Sequence, residues 1–156
     1  MRSLTRRLPG RADLATFLST LRKPHRLSVL RAAADGLLVA WVLRRRGVRP
    51  LLPGGRPDRR SDPGAAREVA AAVDAGLAVV PVAATCLRRS IGLIRELERL
   101  GLASTVHIGV RRTADHVEAH AWVQVGEIVI NDDPVLVSTY AELAAGEADQ
   151  LLAHFR

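Results

Sequence analysis

The sequence predicts an α+β fold: a helix bearing Cys86, packed on a small antiparallel sheet bearing His120 and Asp132, with helices N-terminal to it. Three observations carry this. Apolar residues recur at helical spacing directly after Cys86. From residue 105 the period changes to two, the mark of half-buried strands. A Pro- and Gly-rich stretch separates this part from a basic N-terminal region.

The elements follow in order. Residues 11–23 read as a short helix with Leu14, Phe17, Leu18 and Leu21 on one face. Residues 25–46 read as a longer helix, its apolar stripe formed by Leu27, Leu30, Ala34, Leu37, Leu38 and Trp41. It closes on Arg44, Arg45 and Arg46 followed by Gly47, cations and glycine where a helix C-terminus favours them. Residues 47–64 hold too many breakers for a regular element and read as a linker. The expected organisation is therefore a basic helical extension and linker over 1–60 and a domain over 61–156. Residues 65–76 form an Ala-rich helix, and 79–85 make an apolar approach to Cys86.

Thr85 suits a helix N-cap, which puts Cys86 in the first turn. Leu87, Ile91, Ile94, Leu97 and Leu100 recur along that helix, Arg88, Arg89, Arg95, Glu96 and Arg99 interleave as its polar side, and Gly101 ends it. Val106, Ile108 and Val110 alternate as a strand; residues 118–125 and 127–131 form a hairpin with Gly126 at the first turn position. The tail, 138–153, reads as a helix with Tyr140, Leu143, Leu151 and Leu152 as its apolar points.

The chain has 156 residues, enough for one ordinary domain and a short extension. Aromatics make up 3% of it, which argues against a nucleic-acid reader built on stacking platforms. Charge is unevenly spread. Residues 1–60 carry 15 Lys+Arg against 3 Asp+Glu, and residues 61–156 carry 8 against 13. A basic extension on an acidic body suits an acidic partner, a nucleic acid or a membrane surface, although a solvated, Arg-biased face would look the same. No apolar run approaches the ~20 residues of a membrane span, and no signal-like segment is evident. A cytoplasmic protein without stable membrane insertion is expected.

Cys86 is the only cysteine, so neither an internal disulfide nor a Cys-rich metal site is expected. Most lone cysteines are packing residues. The position of this one says otherwise. A helix start offers unpaired N–H groups and positive partial charge, which favour a thiolate and can hold an oxyanion. His120 on a following strand can take and return the thiol proton, and Asp132 or Asp133 at the next strand's end can fix the imidazole. This order on helix, strand and strand is what a papain-like or transglutaminase-like core would supply. Strict pairing about a two-residue turn at 126–127 sets 133 opposite 120 and favours Asp133; a bulge or longer turn restores Asp132.

The run CLRRSIGLIRELERLGL, then VHIGVRR, then AHAWVQVGEIVIND resembles the lasso-peptide leader peptidases, the B proteins of lasso-peptide biosynthesis within the transglutaminase-like superfamily. Cys86-Leu87, Arg89-Ser90, Ile108-Gly109-Val110, Ala119 to Val123 and Asn131-Asp132 carry the likeness, over about residues 65–145. It implies a Cys86, His120 and Asp132 triad that needs no cofactor. It implies that the substrate is a ribosomally made leader–core precursor, whose freed core passes to an asparagine-synthetase-like macrolactam cyclase. The N-terminal residues do not read as a fused recognition module, so a separate leader-recognition protein is implied. Arg44, Arg45 and Arg46 are the candidate contacts for it.

Other residues admit two readings. Trp122 shares the face of His120 and either roofs the site or fills the core. Asn131 either orients the site or caps a turn, and Thr85 either supports an oxyanion or only caps. His116 and His120 would make a metal pair on a helix, but they lie on a loop and a strand, so no metal is expected. His107 reads as a surface or pocket-rim residue. Two other functions compete with hydrolysis. One is acyl transfer or transglutamination on the same triad. The other is a non-catalytic basic adaptor, for which no nucleic-acid motif is present.

Overall fold

A computed structural model describes residues 23–46, 60–81 and 83–144. The helix expected over 11–23, most of the 47–64 linker and the far end of the tail lie outside these residues, Lys23 excepted. The order is α1 (Lys23–Arg46), α2 (Pro63–Ala78), α3 (Cys86–Arg99), β1 (Thr105–Arg112), β2 (Val117–Val125), β3 (Ile128–Val129), α4 (Pro134–Val137) and β4 (Ala141–Glu142). Helices α1, α2 and α3 pack together, and α3 lies on a four-stranded antiparallel sheet of order β3-β2-β1-β4.

Local chemistry sets the helix ends. Asp62 caps α2 by accepting from the Ala65 N–H at 3.0 Å, and Pro63 follows at the first helical position. The linker reading thus ran two residues too far. Helix α3 ends in a Schellman turn: Leu102 N–H donates to Leu97 at 2.9 Å and Gly101 N–H to Glu98 at 3.1 Å. Gly101 takes φ 70°, and Leu102 is buried beneath the turn. Leu100, expected on the apolar face, lies past the helix and is 40% exposed, while Leu93 is buried instead.

Helix α1 turns a different face inward from the one its leucines mark. Leu27, Leu30, Leu37, Leu38 and Trp41 are all more than 40% exposed, and Ala34 is exposed too. Ser28, Val29, Ala32, Asp35, Gly36, Val39 and Val42 are buried. Close approach explains this. A Cβ on Gly76 of α2 would collide with the Val29 carbonyl oxygen and stand 2.8 Å from Ala32 Cβ. Only small side chains fit between the two backbones. Across α3, the buried polar groups of α1 find partners. Ser28 Oγ donates to Glu96 at 2.7 Å, and Arg99 spans Asp35 and Glu96. Glu96, expected on the solvated side of α3, is 1% exposed. Helix α1 therefore shares the body's core, although the sequence assigned it to the extension. Arg45 is exposed in its last turn; the side chains of Arg44 and Arg46 lie outside the described residues.

The sheet has two unlike faces. Val123 and Val125 of β2 and Ile130 share a core with Leu93, Ile94 and Leu97 of α3. The other face pairs His107 with Trp122, Gly109 with His120 and Arg111 with Glu118 across β1 and β2. The β2–β3 turn has Gly126 at φ 61° and Glu127 at negative φ, as a type II′ turn requires. Tyr140 is not in a tail helix: it leads into β4, which pairs with Gly109 and Val110.

Candidate active site

Thr85 accepts from the Arg88 N–H at 3.4 Å and starts α3 at Cys86. Capping occupies its hydroxyl. Helix geometry leaves the first N–H groups of α3 without intrahelical acceptors, and that of Leu87 helps to lower the Cys86 thiol.

The thiol reaches the edge of β2 because β3 is only two residues long. In register with β3, Gln124 pairs with Val129 and Val125 with Ile128. Ile130 N–H still donates to the Val123 carbonyl at 2.9 Å. Then the chain leaves the sheet, and side chains complete the edge. Asn131 Oδ1 accepts from Val123 N–H at 2.8 Å, and its Nδ2 donates to Ser90 Oγ at 3.1 Å. Ser90 Oγ donates in turn to the Ala121 carbonyl at 3.0 Å. The Ala121 N–H, on the same edge, helps to lower the Cys86 thiol. Ser90 and Asn131 thus fasten α3 to β2 and hold Cys86 against it.

This departure from the sheet also separates the two aspartates. The register that set residue 133 opposite His120 ends at 130, without a bulge. Asp132 Oδ2 lies 2.7 Å from His120 Nε2. Asp133 Oδ1 instead accepts from Val135 N–H at 2.8 Å and caps α4. With Nε2 on Asp132, Nδ1 is the imidazole nitrogen left for Cys86.

The electrostatics of the pair are mutual. Burial pushes the Cys86 thiol up, but the hydrogen bond to His120, the Ala121 and Leu87 N–H groups and the imidazolium charge outweigh it. The thiol is held below its ordinary value. The hydrogen bond to Cys86 does most to raise His120, burial opposes it, and the Asp132 hydrogen bond adds to it. Both shifts favour a thiolate–imidazolium pair. Arg89 stands beside this pair but is committed to Asp74 through two bonds, at 2.8 and 2.7 Å.

Trp122 is 3% exposed and so fills the core, yet it also flanks the site. Its ring stacks 6.2 Å from His120 and 5.8 Å from His107. His107 is mostly covered and pairs with Glu142 of β4. His116 hydrogen-bonds Thr113 in the β1–β2 turn, away from His120's partners. The described residues contain no cluster of three or more His, Cys, Asp or Glu suited to a metal. None of their helices is long and apolar enough to cross a membrane.

Sequence reasoning missed Tyr140, whose ring lies 5.1 Å from that of His120. The available signal was Gly109. An isolated glycine within a strand marks a close approach, and a Cβ there would meet Tyr140 Cβ at 2.9 Å and Trp122 Cη2 at 3.0 Å. It also missed Asp74, Ser90 and Glu96 as buried or paired partners.

A helix-borne thiol paired with a carboxylate-held imidazole, on a helix-covered antiparallel sheet, describes a cysteine hydrolase or transferase scaffold. A family model for the transglutaminase-like superfamily matches residues 29–145, and the chain belongs to that superfamily. Its members are generally enzymes of these two classes. No significant match is found among curated proteins or among solved structures.

Proposed function

We propose that the protein is a cysteine peptidase that removes the leader from a ribosomally made lasso-peptide precursor, with Cys86 as nucleophile, His120 as base and Asp132 as orienting carboxylate. The single observation that carries the chemistry is the 2.7 Å bond from His120 to Asp132, beside a Cys86 thiol and a His120 imidazole that shift each other toward the ion pair. The Cys86 thiolate attacks the scissile carbonyl carbon. N–H groups at the start of α3 hold the oxyanion. His120 gives its proton to the leaving amine as the C–N bond breaks, leaving a thioester on Cys86. Water then attacks the thioester while His120 takes a proton from it, which releases the leader's new carboxylate and regenerates the thiol.

The leader assignment is supported by residues that carry the family likeness and also build the site. Arg89 locks α3 to Asp74 on α2, and Ser90 and Asn131 join α3 to β2. A separate leader-recognition protein delivers the precursor and docks on the basic end of α1, at Arg44, Arg45 and Arg46. The freed core passes to an asparagine-synthetase-like cyclase.

Incubation with precursor and recognition protein, followed by mass spectrometry, tests this. Leader and core fragments are expected from the wild type and none from Cys86→Ala. An intact precursor with the wild type overturns the reading. A leader carrying an added amine at its new C-terminus would establish acyl transfer instead. Charge reversal of the three arginines should abolish co-purification with the recognition protein; undiminished complex formation overturns that docking site.

A further inference from the structure

We propose that Tyr140 is a positioning residue for His120, its ring fixing the plane of the imidazole and favouring the imidazolium form; this rests on the cysteine chemistry proposed above. The bond to Asp132 holds one point on the rim of the imidazole, and the interaction with Cys86 engages a second. They leave its tilt about the line between those points unset. Contacts to the ring faces set it. Tyr140 stacks at 5.1 Å with 29° between planes, and Trp122 at 6.2 Å with 22°.

Tyr140 is itself well anchored. Its N–H donates to Val137 at 3.0 Å, and the two residues after it form β4 against β1. The Arg111 guanidinium carbon lies 4.5 Å from its ring centroid, and its hydroxyl donates to Glu118 at 3.4 Å. Arg111 also donates to Thr139 Oγ1 at 2.9 Å, just before the tyrosine. Gly109, paired across the strands with His120, leaves the space in which these rings meet.

The charged groups around His120 come from several elements. Asp132 after β3 bonds it, and Cys86 on α3 acts on it as its ion-pair partner. Arg111 and Glu118 lie one pair along the same sheet face, bonded to each other at 2.6 Å, so their charges offset. Arg89 on α3 is spent on Asp74. Burial pushes the Tyr140 phenol up, so it stays neutral wherever the pair forms. Its contribution to His120 is therefore the π face, which attracts a cation.

The test measures iodoacetamide labelling of Cys86 by mass against pH, with the His120 ring signals followed by NMR. Tyr140→Leu should move the acid limb of labelling up by about half a pH unit and the His120 titration down by a similar amount. On that acid limb labelling should slow about threefold at a given pH, the rate equivalent of that half unit. With precursor, kcat should fall roughly tenfold and KM stay within about twofold, as expected for lost orientation rather than lost binding. Tyr140→Phe, which keeps the ring, should restore the wild-type profile. Should Tyr140→Leu not fold, Tyr140→Met fills the same space and carries the same expectation. Profiles that superimpose on the wild type overturn the role of Tyr140. A wild-type thiol that labels slowly, with an ordinary thiol pKa, overturns the cysteine chemistry itself.

Discussion

At the scale of single residues, the lowered Cys86 and raised His120 define a pH window. The thiolate–imidazolium pair exists above the depressed thiol pKa and below the elevated imidazole pKa. Below the first the sulfur is protonated; above the second the cation is lost. Labelling of Cys86 should therefore set in below the ordinary thiol value of about 8.5. In His120→Ala the main lowering partner is gone and burial remains, so the midpoint should rise to that value or beyond. Asp132 and Asp133 do different work despite adjoining. Asp132→Asn should cut kcat by about 10²–10⁴-fold, because an amide cannot stabilise the imidazolium and can favour the wrong tautomer. Asp133→Asn should stay within about threefold, because Asn caps α4 equally well. Steady-state rates of the two variants side by side check this. The sequence pointed to Cys86 and His120 through their positions on a helix start and a strand. It left the aspartates open because register counting assumes that the strand continues. Whether it does depends on Asn131 replacing a backbone group, which no periodicity records.

At the scale of elements, α3 was legible because each cue agreed: Thr85 cap, apolar period, Gly101 stop. Its start falls where those cues put it, and its end one residue earlier, at Arg99. Helix α1 was legible as a helix but not in its facing. Hydrophobicity marks the side with the largest apolar residues, whereas the packed side was set by how closely α2 approaches. Gly76→Ala tests that approach. In a free helix alanine is favoured over glycine by about 1 kcal/mol. Here the new methyl would overlap the Val29 carbonyl and crowd Ala32 Cβ. Backbone cannot step aside cheaply, so overpacking at about 1–3 kcal/mol or more wins. Urea denaturation should show a net loss of stability, against the gain that propensity alone predicts.

At the scale of the whole molecule, α1 and α3 are joined by a polar cluster inside the protein. Asp35 is 6% exposed and Glu96 1%, with Arg99 bonded to both and Arg95 near Asp35. Burial raises the Asp35 carboxyl, but Arg99 and Arg95 more than reverse this and hold it below the usual carboxylate range. A depressed carboxylate gives stability that is complete above its unfolded value, about 4, and is lost as pH falls through its folded value. Asp35→Asn should therefore cost about 1–3 kcal/mol near neutral pH, Arg99 being partly exposed. The difference from the wild type should shrink as pH drops below about 4. Urea midpoints at pH 7 and pH 3 measure both. The α+β class and the sheet were readable from the change of period. The union of α1 with the body was not, because it rests on the close approach of α2 and on charges that the sequence displays as a solvated face.

The segment from Asp132 to Glu142 touches the imidazole near both of its ends, Asp132 on one ring nitrogen and Tyr140 on the ring itself. It acts as a caliper, and its opening is set by the short turn of α4 between capping Asp133 and the start of β4. On the proposed mechanism the length of this segment is a catalytic parameter, although residues 134–139 carry no chemistry. Two glycines inserted after Leu136 should slow turnover far more than the same pair inserted after Ala114. That second site lies in a turn whose lengthening moves neither jaw, and comparing the two rates reads the tolerance of each loop directly.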